Sequence, residues 1–238
     1  MYTIAILLAG GTGQRMGGSI PKQYMELAGK PMIFFPLKTL FDYDGISMVR
    51  VVADETWHGS ILECIKQMER NKKFDGFSKP GANRQLSICN ALKDVKKVTL
   101  TIPESEKYVL IHDAARPFLS VSLLNSMMEV IHEVDGVLPV LPMKDTIYYS
   151  DDGKCITELL DRSKLLAGQA PELFCFEKYY AANIRLKQEE ILKINGSTEP
   201  AIKAGMNIAF VAGDENNFKI TTEEDFLRAQ EMINQVNR

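Results

Sequence analysis

A doubly wound α/β fold, with a mostly parallel sheet and a projecting β-arm, is what the sequence predicts. Three observations carry that expectation. Short apolar runs, the pattern of strands buried on both faces, recur along the chain. Stretches with helical apolar spacing separate them, which implies helices covering a parallel sheet. A glycine-rich turn follows the first run directly, where open α/β sheets hold nucleotides.

The elements follow in order. Residues 4–9 are the first strand, and residues 47–53, 108–112, 136–140 and 208–211 repeat its apolar pattern. A helix over 56–70 places Ile61, Ile65 and Met68 on one side, and one over 84–95 does the same with Leu86, Cys89 and Leu92. Ser120 is an N-cap for a helix over 121–133, and 177–193 reads as one long amphipathic helix. Thr222, followed by Glu223, Glu224 and Asp225, starts a last helix: a capping hydroxyl with acids at the positive end of the dipole. One segment breaks the rhythm. Residues 145–149 and 155–159 are extended runs around Ser150-Asp151-Asp152-Gly153, a hairpin signature. A lone hairpin is marginal in water, so this arm, spanning about residues 142–165, is expected to project and find a partner chain.

The length, 238 residues, fits a single domain over 1–238 that carries the arm, and 45% hydrophobic residues suffice for a sizeable core. A net charge of −3 argues against a general electrostatic grip on nucleic acid, but a few placed cations can still hold a small anion. The cysteines Cys64, Cys89, Cys155 and Cys175 are scattered and, with three isolated histidines, give no zinc pattern. A reduced thiol set fits a cytoplasmic protein. The first apolar run lacks a basic flank and is only about six residues long, so neither a signal peptide nor a membrane span is expected.

The chemistry concentrates in Leu8-Ala9-Gly10-Gly11-Thr12-Gly13-Gln14-Arg15-Met16-Gly17. Glycines let backbone N–H groups approach phosphate oxygens closely. The Walker A ending G-K-[ST] is missing. The dinucleotide fingerprint, started at Gly11 and Gly13, fails at Met16, and no acid follows about 20 positions later. By itself such a loop is only a tight turn, and an isolated Lys22 is only a surface lysine. Together, Arg15 within the loop and Lys22 in Pro21-Lys22-Gln23 suit a triphosphate whose charge grows in the transition state.

These motifs resemble the cytidylyltransferases that act on polyol phosphates, within the sugar-nucleotidyltransferase superfamily. Further matches follow in the family's order: Gly81-Ala82-Asn83-Arg84-Gln85-Leu86-Ser87, His112-Asp113-Ala114-Ala115-Arg116-Pro117, Lys144-Asp145-Thr146, Asp161-Arg162, Gly168-Gln169-Ala170-Pro171 and Asn217-Phe218-Lys219-Ile220-Thr221. The resemblance covers about residues 4 to 230. It implies transfer of CMP from CTP to a polyol phosphate, with release of pyrophosphate. Leu8, Ala9, Gly10, Gly11, Thr12, Gly13, Gly81, Arg84 and Ser87 are the implied nucleotide-binding set, with Ser87 facing the cytosine. Arg15 is implied at the triphosphate, and Lys22 and Lys219 at the α-phosphate. Asp113, Arg116, Thr146, Arg162 and Thr198 are implied on the acceptor side, Thr146 and Arg162 across a homodimer interface. Asp113 alternatively binds the Mg²⁺, or another divalent cation, expected as cofactor; a cap or an ion pair with Arg116 is its ordinary role. Arg162 beside Asp161 reads otherwise as a surface ion pair.

Two departures touch the acceptor pocket. Ala170 stands where the family usually has threonine, and Thr198-Glu199-Pro200 where it usually reads T-D-E. Both departures bear on either acceptor alike. Leu8-Ala9-Gly10-Gly11 and Gly168-Gln169 resemble the ribitol-phosphate branch, and His112-Asp113-Ala114-Ala115-Arg116-Pro117 the methylerythritol branch. Ribitol 5-phosphate is the expected acceptor by a narrow margin, with 2-C-methyl-D-erythritol 4-phosphate as runner-up and another polyol or sugar phosphate third. An inactive nucleotide-binding scaffold is a further reading, opposed by the presence of Arg15, Lys22 and Lys219. A nicotinamide oxidoreductase is opposed by the broken fingerprint.

Overall fold

A computed structural model describes residues 1–11 and 20–236. The chain runs β1 (Tyr2–Leu8), β2 (Glu26–Leu27), β3 (Lys30–Pro31), α1 (Phe34–Asp42), β4 (Met48–Val52), α2 (His58–Lys66), β5 (Phe74–Ser78), α3 (Arg84–Val98), β6 (Lys107–Asp113) and α4 (Val121–Val130). It continues through β7 (Gly136–Pro142), β8 (Ile147–Tyr149), β9 (Glu158–Leu160), β10 (Leu166–Gly168), β11 (Glu172–Cys175), α5 (Phe176–Ile184), α6 (Gln188–Lys193), α7 (Glu199–Lys203), β12 (Ile208–Ala212) and α8 (Glu223–Val236).

Among the described residues the main sheet has eight strands in the order β10-β7-β11-β6-β1-β4-β5, with β12 on the far side of β7. The parallel pairs are β1 with β4 and β6, β4 with β5, and β7 with β12; β10 and β11 run antiparallel to their neighbours. β1 shows why both faces are covered. Ala5 and Leu7 join one core cluster with Leu37, Leu40, Ile61 and Leu124, while Ile4 and Ile6 join the opposite one with Ile88, Leu92 and Tyr179. Alternate side chains of a strand point to opposite faces, so a wholly apolar run needs a layer on each. The chain first builds outward from β1 through β4 to β5, then returns to β1's other side with β6. That reversal makes a crevice at the carboxyl ends of β1 and β6, the usual ligand position in such sheets.

Several expected elements differ in detail. The helix expected over 56–70 is preceded by the 3₁₀ turn Glu55–Trp57, whose cap Asp54 accepts from Thr56 N, and ends at Lys66. The helix expected over 121–133 is α-helical only to Val130 and finishes as a 3₁₀ turn. The single helix expected over 177–193 is two. Lys187 is extended (φ −72°, ψ 155°), and its N–H donates to Glu190, which restarts the chain as α6. Helical spacing persists through the break without a glycine or proline to mark it. Ser120 and Thr222 do cap: Leu123 N donates to Ser120 Oγ at 3.3 Å and Asp225 N to Thr222 Oγ1 at 3.2 Å. In the arm, Ile147 pairs with Leu160 and Tyr149 with Glu158, so the second strand lies later than the expected 155–159.

Candidate active site

The first strand delivers Ala9, Gly10 and Gly11 to the crevice. Leu8 lies in register with Asp113 of β6, and Ala114 N donates to Leu8 O at 3.0 Å. Three groups fix the next residue: Ala9 N donates to Val52 O (2.8 Å), and Ala9 O accepts from Gln23 Nε2 (2.7 Å) and Tyr24 Oη (2.9 Å). Gln23 Nε2 also reaches Gly11 O at 2.7 Å. Tyr24 is itself stacked on Trp57, ring centroids 4.1 Å apart. Gly10 must be glycine, since a Cβ there would lie 2.6 Å from Pro80 Cβ. That contact brings the first loop against the 79–81 segment. Thr12, Gly13 and Arg15 lie outside the described residues.

The second nucleotide element closes on itself. Gly81 N donates to Ser87 Oγ (2.9 Å), which donates to Asn83 O (3.0 Å), while Asn83 Oδ1 caps α3 by accepting from Leu86 N (2.8 Å). A side chain at Gly81 would collide with Leu86, the Cβ lying 2.3 Å from Leu86 Cβ. The loop is thus a rigid collar at the start of α3.

Arg84 points from this collar into a buried group of charges. Its Nε donates to Asp113 Oδ1 (3.0 Å), Nη1 to Ser197 Oγ (2.6 Å) and Nη2 to Glu172 Oε2 (3.3 Å). The other Asp113 oxygen accepts from Lys219 Nζ at 2.9 Å. Burial alone would raise the Asp113 carboxyl; the Arg84 and Lys219 cations outweigh it and hold the group well below the ordinary carboxylate range. Burial would likewise lower Arg84, but Glu172 and Asp113 raise it, so its charge is permanent. Its guanidinium is thus occupied by Asp113, Glu172 and Ser197.

Lys22 comes to the same place from another side. Its Nζ donates to Ile220 O at 2.6 Å, one residue beyond Lys219. The segment carrying Lys219 is strapped down: Ile220 N donates to Ala115 O (2.9 Å), Arg116 Nη1 to Asn217 O (2.6 Å), and Asn217 Nδ2 to Ala170 O (2.7 Å). Arg116 and Asp113 share a backbone bond, Arg116 N to Asp113 O at 3.0 Å, while the Asp113 side chain forms ion pairs with Arg84 and Lys219. His112 is fully buried, with Nε2 3.1 Å from Arg116 O and Nδ1 unpartnered; burial pushes its imidazole down to about 4, so it is neutral near pH 7.

The structure therefore gathers Leu8, Ala9, Gly10, Gly11, Lys22, Gly81, Arg84, Ser87, Asp113, Arg116 and Lys219 around one crevice. Thr198 is the N-cap position of α7 and follows the buried Ser197. Thr146 and Arg162 are separate, on the exposed arm base, where Arg162 Nη1 donates to Lys144 O at 2.6 Å. The surface pair expected between Asp161 and Arg162 is replaced: Asp161 accepts from Ser163 N and meets Lys164 at 3.5 Å. Among the described residues no group of three His, Cys, Asp or Glu is placed to hold a metal, and no helix is long and apolar enough to cross a membrane. Sequence reasoning passed over Gln23, Tyr24, Glu172, Ser197 and Asn217. Gln23 and Asn217 sit inside motifs read for their lysines, whereas Glu172 and Ser197 carry no local signal of the charges they meet.

The family model for 2-C-methyl-D-erythritol 4-phosphate cytidylyltransferase matches residues 3–235. A protein of that description from Clostridium beijerinckii is 32% identical over 235 residues, covering 98% of each chain. One from Thermotoga neapolitana is 32% identical over 222 residues, covering 93% of this chain and 92% of its own. In fold, the chain is similar to the 4-diphosphocytidyl-2C-methyl-D-erythritol synthase structure from Anaerococcus prevotii, with a TM-score of 0.79 at 22% identity, covering 98% and 96% of the two chains. The Francisella tularensis 2-C-methyl-D-erythritol 4-phosphate cytidylyltransferase structure gives 0.79 at 22%, covering 97% and 99%.

Proposed function

The chain belongs to the 2-C-methyl-D-erythritol 4-phosphate cytidylyltransferase family, and from that premise we propose that its acceptor is 2-C-methyl-D-erythritol 4-phosphate. As a member it is an enzyme that transfers CMP from CTP to a polyol phosphate. The sequence-based preference for ribitol 5-phosphate is reversed, because the matching family model and the relatives carry the methylerythritol name.

One observation carries the chemistry: Lys219 is held by Asp113 at 2.9 Å, and Lys22 by the carbonyl of Ile220, the residue next to Lys219. An acceptor phosphate oxygen attacks the α-phosphorus of CTP, and pyrophosphate leaves. The obstacle is mutual repulsion of two polyanions, so positioning and positive charge supply most of the rate. In this reading Lys22 and Lys219 meet the charge that grows on the α-phosphate, and Arg15 the triphosphate. The acceptor phosphate is already ionised, so no general base is needed. Ala9, Gly10 and the 81–87 collar shape a narrow base pocket; close backbone contact favours a pyrimidine. A divalent cation would come with the triphosphate, whose oxygens would hold it; both Asp113 oxygens already accept from Arg84 and Lys219, so Asp113 does not fit as its ligand without giving up one of them. When bound it supplies charge neutralisation on the phosphate oxygens.

The reading extends to a cytoplasmic, single-domain protomer that dimerises through the arm, with Thr146 and Arg162 completing the neighbour's acceptor site. Exposed Tyr148, Tyr149, Ile156 and Leu159 on the arm support it, as do the free cysteines. The test is pyrophosphate release from CTP and Mg²⁺ with 2-C-methyl-D-erythritol 4-phosphate or ribitol 5-phosphate, and with ATP replacing CTP. Higher kcat/KM for the methylerythritol acceptor and for CTP is expected. Preference for ribitol 5-phosphate, or equal use of ATP, refutes the acceptor or the base pocket respectively.

A further inference from the structure

β11 runs antiparallel to β6, with Glu172 in register with Ile111. This direction places the first residue of β11 at the carboxyl edge of the parallel strands, beside Asp113. Glu172 is 8% exposed, and both carboxylate oxygens are used: Oε2 by Arg84 Nη2 at 3.3 Å, Oε1 by the Ser197 hydroxyl. Ser197 is anchored in turn, its carbonyl accepting from Tyr179 Oη at 2.8 Å.

Read in order, the side chains form a row of alternating charge: Glu172, Arg84, Asp113, Lys219. Arg84 divides its donors between two carboxylates, and Asp113 divides its oxygens between two cations. Each share depends on the next. A guanidinium presents a planar fork that matches one carboxylate with two parallel bonds. With Glu172 neutral, nothing acidic would draw Arg84 Nη2 away from Asp113, and the fork is free to close on both Asp113 oxygens. Lys219 would then lose the partner that aims it. Ser197 also joins this row to Thr198, so the same carboxylate bears on the acceptor-side turn. Buried ion pairs are weak stabilisers, since desolvation offsets their attraction; a row of them at the reaction crevice is better explained by the geometry it fixes.

We propose that Glu172 is a positioning residue for cytidylyl transfer: its carboxylate keeps Arg84 shared between two acids, so that Asp113 retains an oxygen for Lys219. The kinetic part rests on the cytidylyltransferase reading; the structural part does not.

The variants are Glu172→Gln and Glu172→Asp, in the full chain. Without substrate, the crystal structure of Glu172→Gln is expected to show Arg84 closed on both Asp113 oxygens and Lys219 Nζ moved away. In turnover with CTP, Mg²⁺ and 2-C-methyl-D-erythritol 4-phosphate, Glu172→Gln should lower kcat roughly tenfold and raise the acceptor KM, as expected for a side chain acting through a bonded network. CTP binding measured by calorimetry should stay within about twofold. Glu172→Asp keeps the charge and should recover part of the kcat. An intact Lys219–Asp113 pair in Glu172→Gln overturns the proposal, as does unchanged kcat. Equal losses of kcat, CTP affinity and thermal midpoint in both variants also overturn it, because they mark a merely structural side chain. If Glu172→Gln does not fold, Glu172→Asp decides on the same readouts, its shorter side chain being unable to bridge Arg84 and Ser197 unmoved. A wild-type protein without turnover refutes the cytidylyltransferase reading, and the crystallographic arm then decides this proposal alone.

Discussion

The crevice and the arm of this protein are built on opposite principles. At the crevice, Asp113, Glu172 and Ser197 are buried, and each bond crosses between elements far apart in sequence. In the arm, the bonds are local. Ser150 Oγ donates to Cys155 O at 2.6 Å, Cys155 N to Asp152 Oδ1 at 2.9 Å, and Thr157 N to Tyr149 O at 2.8 Å. Its apolar side chains stay in water, Ile156 at 67% and Leu159 at 62% exposure. The chain therefore preorganises the crevice charges by itself, whereas the arm secures only its turn and leaves its apolar surface exposed.

The largest effect should separate function from stability at the crevice. Lys219→Ala and Lys22→Ala are expected to lower kcat by about 10²–10³-fold, the usual cost of removing one preorganised donor at developing charge. Lys22→Ala should hardly move the thermal midpoint, whereas Lys219→Ala should lower it modestly, because Asp113 is buried and keeps only Arg84 as a cation. Near-wild-type turnover in both would erase the catalytic half of the comparison.

His112 tests how closed the base of the crevice is. Its folded pKa of about 4 lies below the unfolded value of 6.5. Between those values the unfolded chain binds a proton that the folded protein refuses, so stability is fully present above about pH 6.5 and falls toward pH 4. The shift corresponds to about 3 kcal/mol at most. Urea midpoints measured from pH 7 to 4.5 should show this slope, and His112→Gln should remove much of it. Identical slopes would mean that the imidazole is hydrated.

The arm should give the smallest change in the protomer's own stability. Leu159→Asp is expected to alter unfolding free energy by no more than about 0.5 kcal/mol, as an exposed substitution, yet to shift sedimentation from dimer to monomer and reduce turnover. A dimer that survives this change assigns the interface elsewhere.

Sequence reading recovers the crevice's outline because its signals are local. Apolar runs mark β1, β4, β6, β7 and β12, and glycines mark Gly10 and Gly81, where backbones approach too closely for a side chain. The charge row Glu172, Arg84, Asp113, Lys219 was not legible. Arg84 and Glu172 are 88 residues apart in the chain, and nothing near either one announces the other. β10 and β11 escaped for a similar reason: they are three and four residues long, and their antiparallel direction is set by the chain's return from the arm. α1 begins Phe34-Phe35-Pro36, and proline discourages a helix reading, although in the first turn its missing N–H costs nothing.

The stacking of Trp57 on Tyr24 has a spectroscopic consequence. The chain contains one tryptophan, and its ring lies 4.1 Å from a tyrosine whose hydroxyl holds Ala9, the residue that begins the glycine-rich loop. Indole emission from the unmodified protein therefore originates at a single known point, two contacts away from that loop. Changes in its intensity or lifetime during a nucleotide titration would report on the surroundings of Tyr24 and Ala9, free of contributions from the arm.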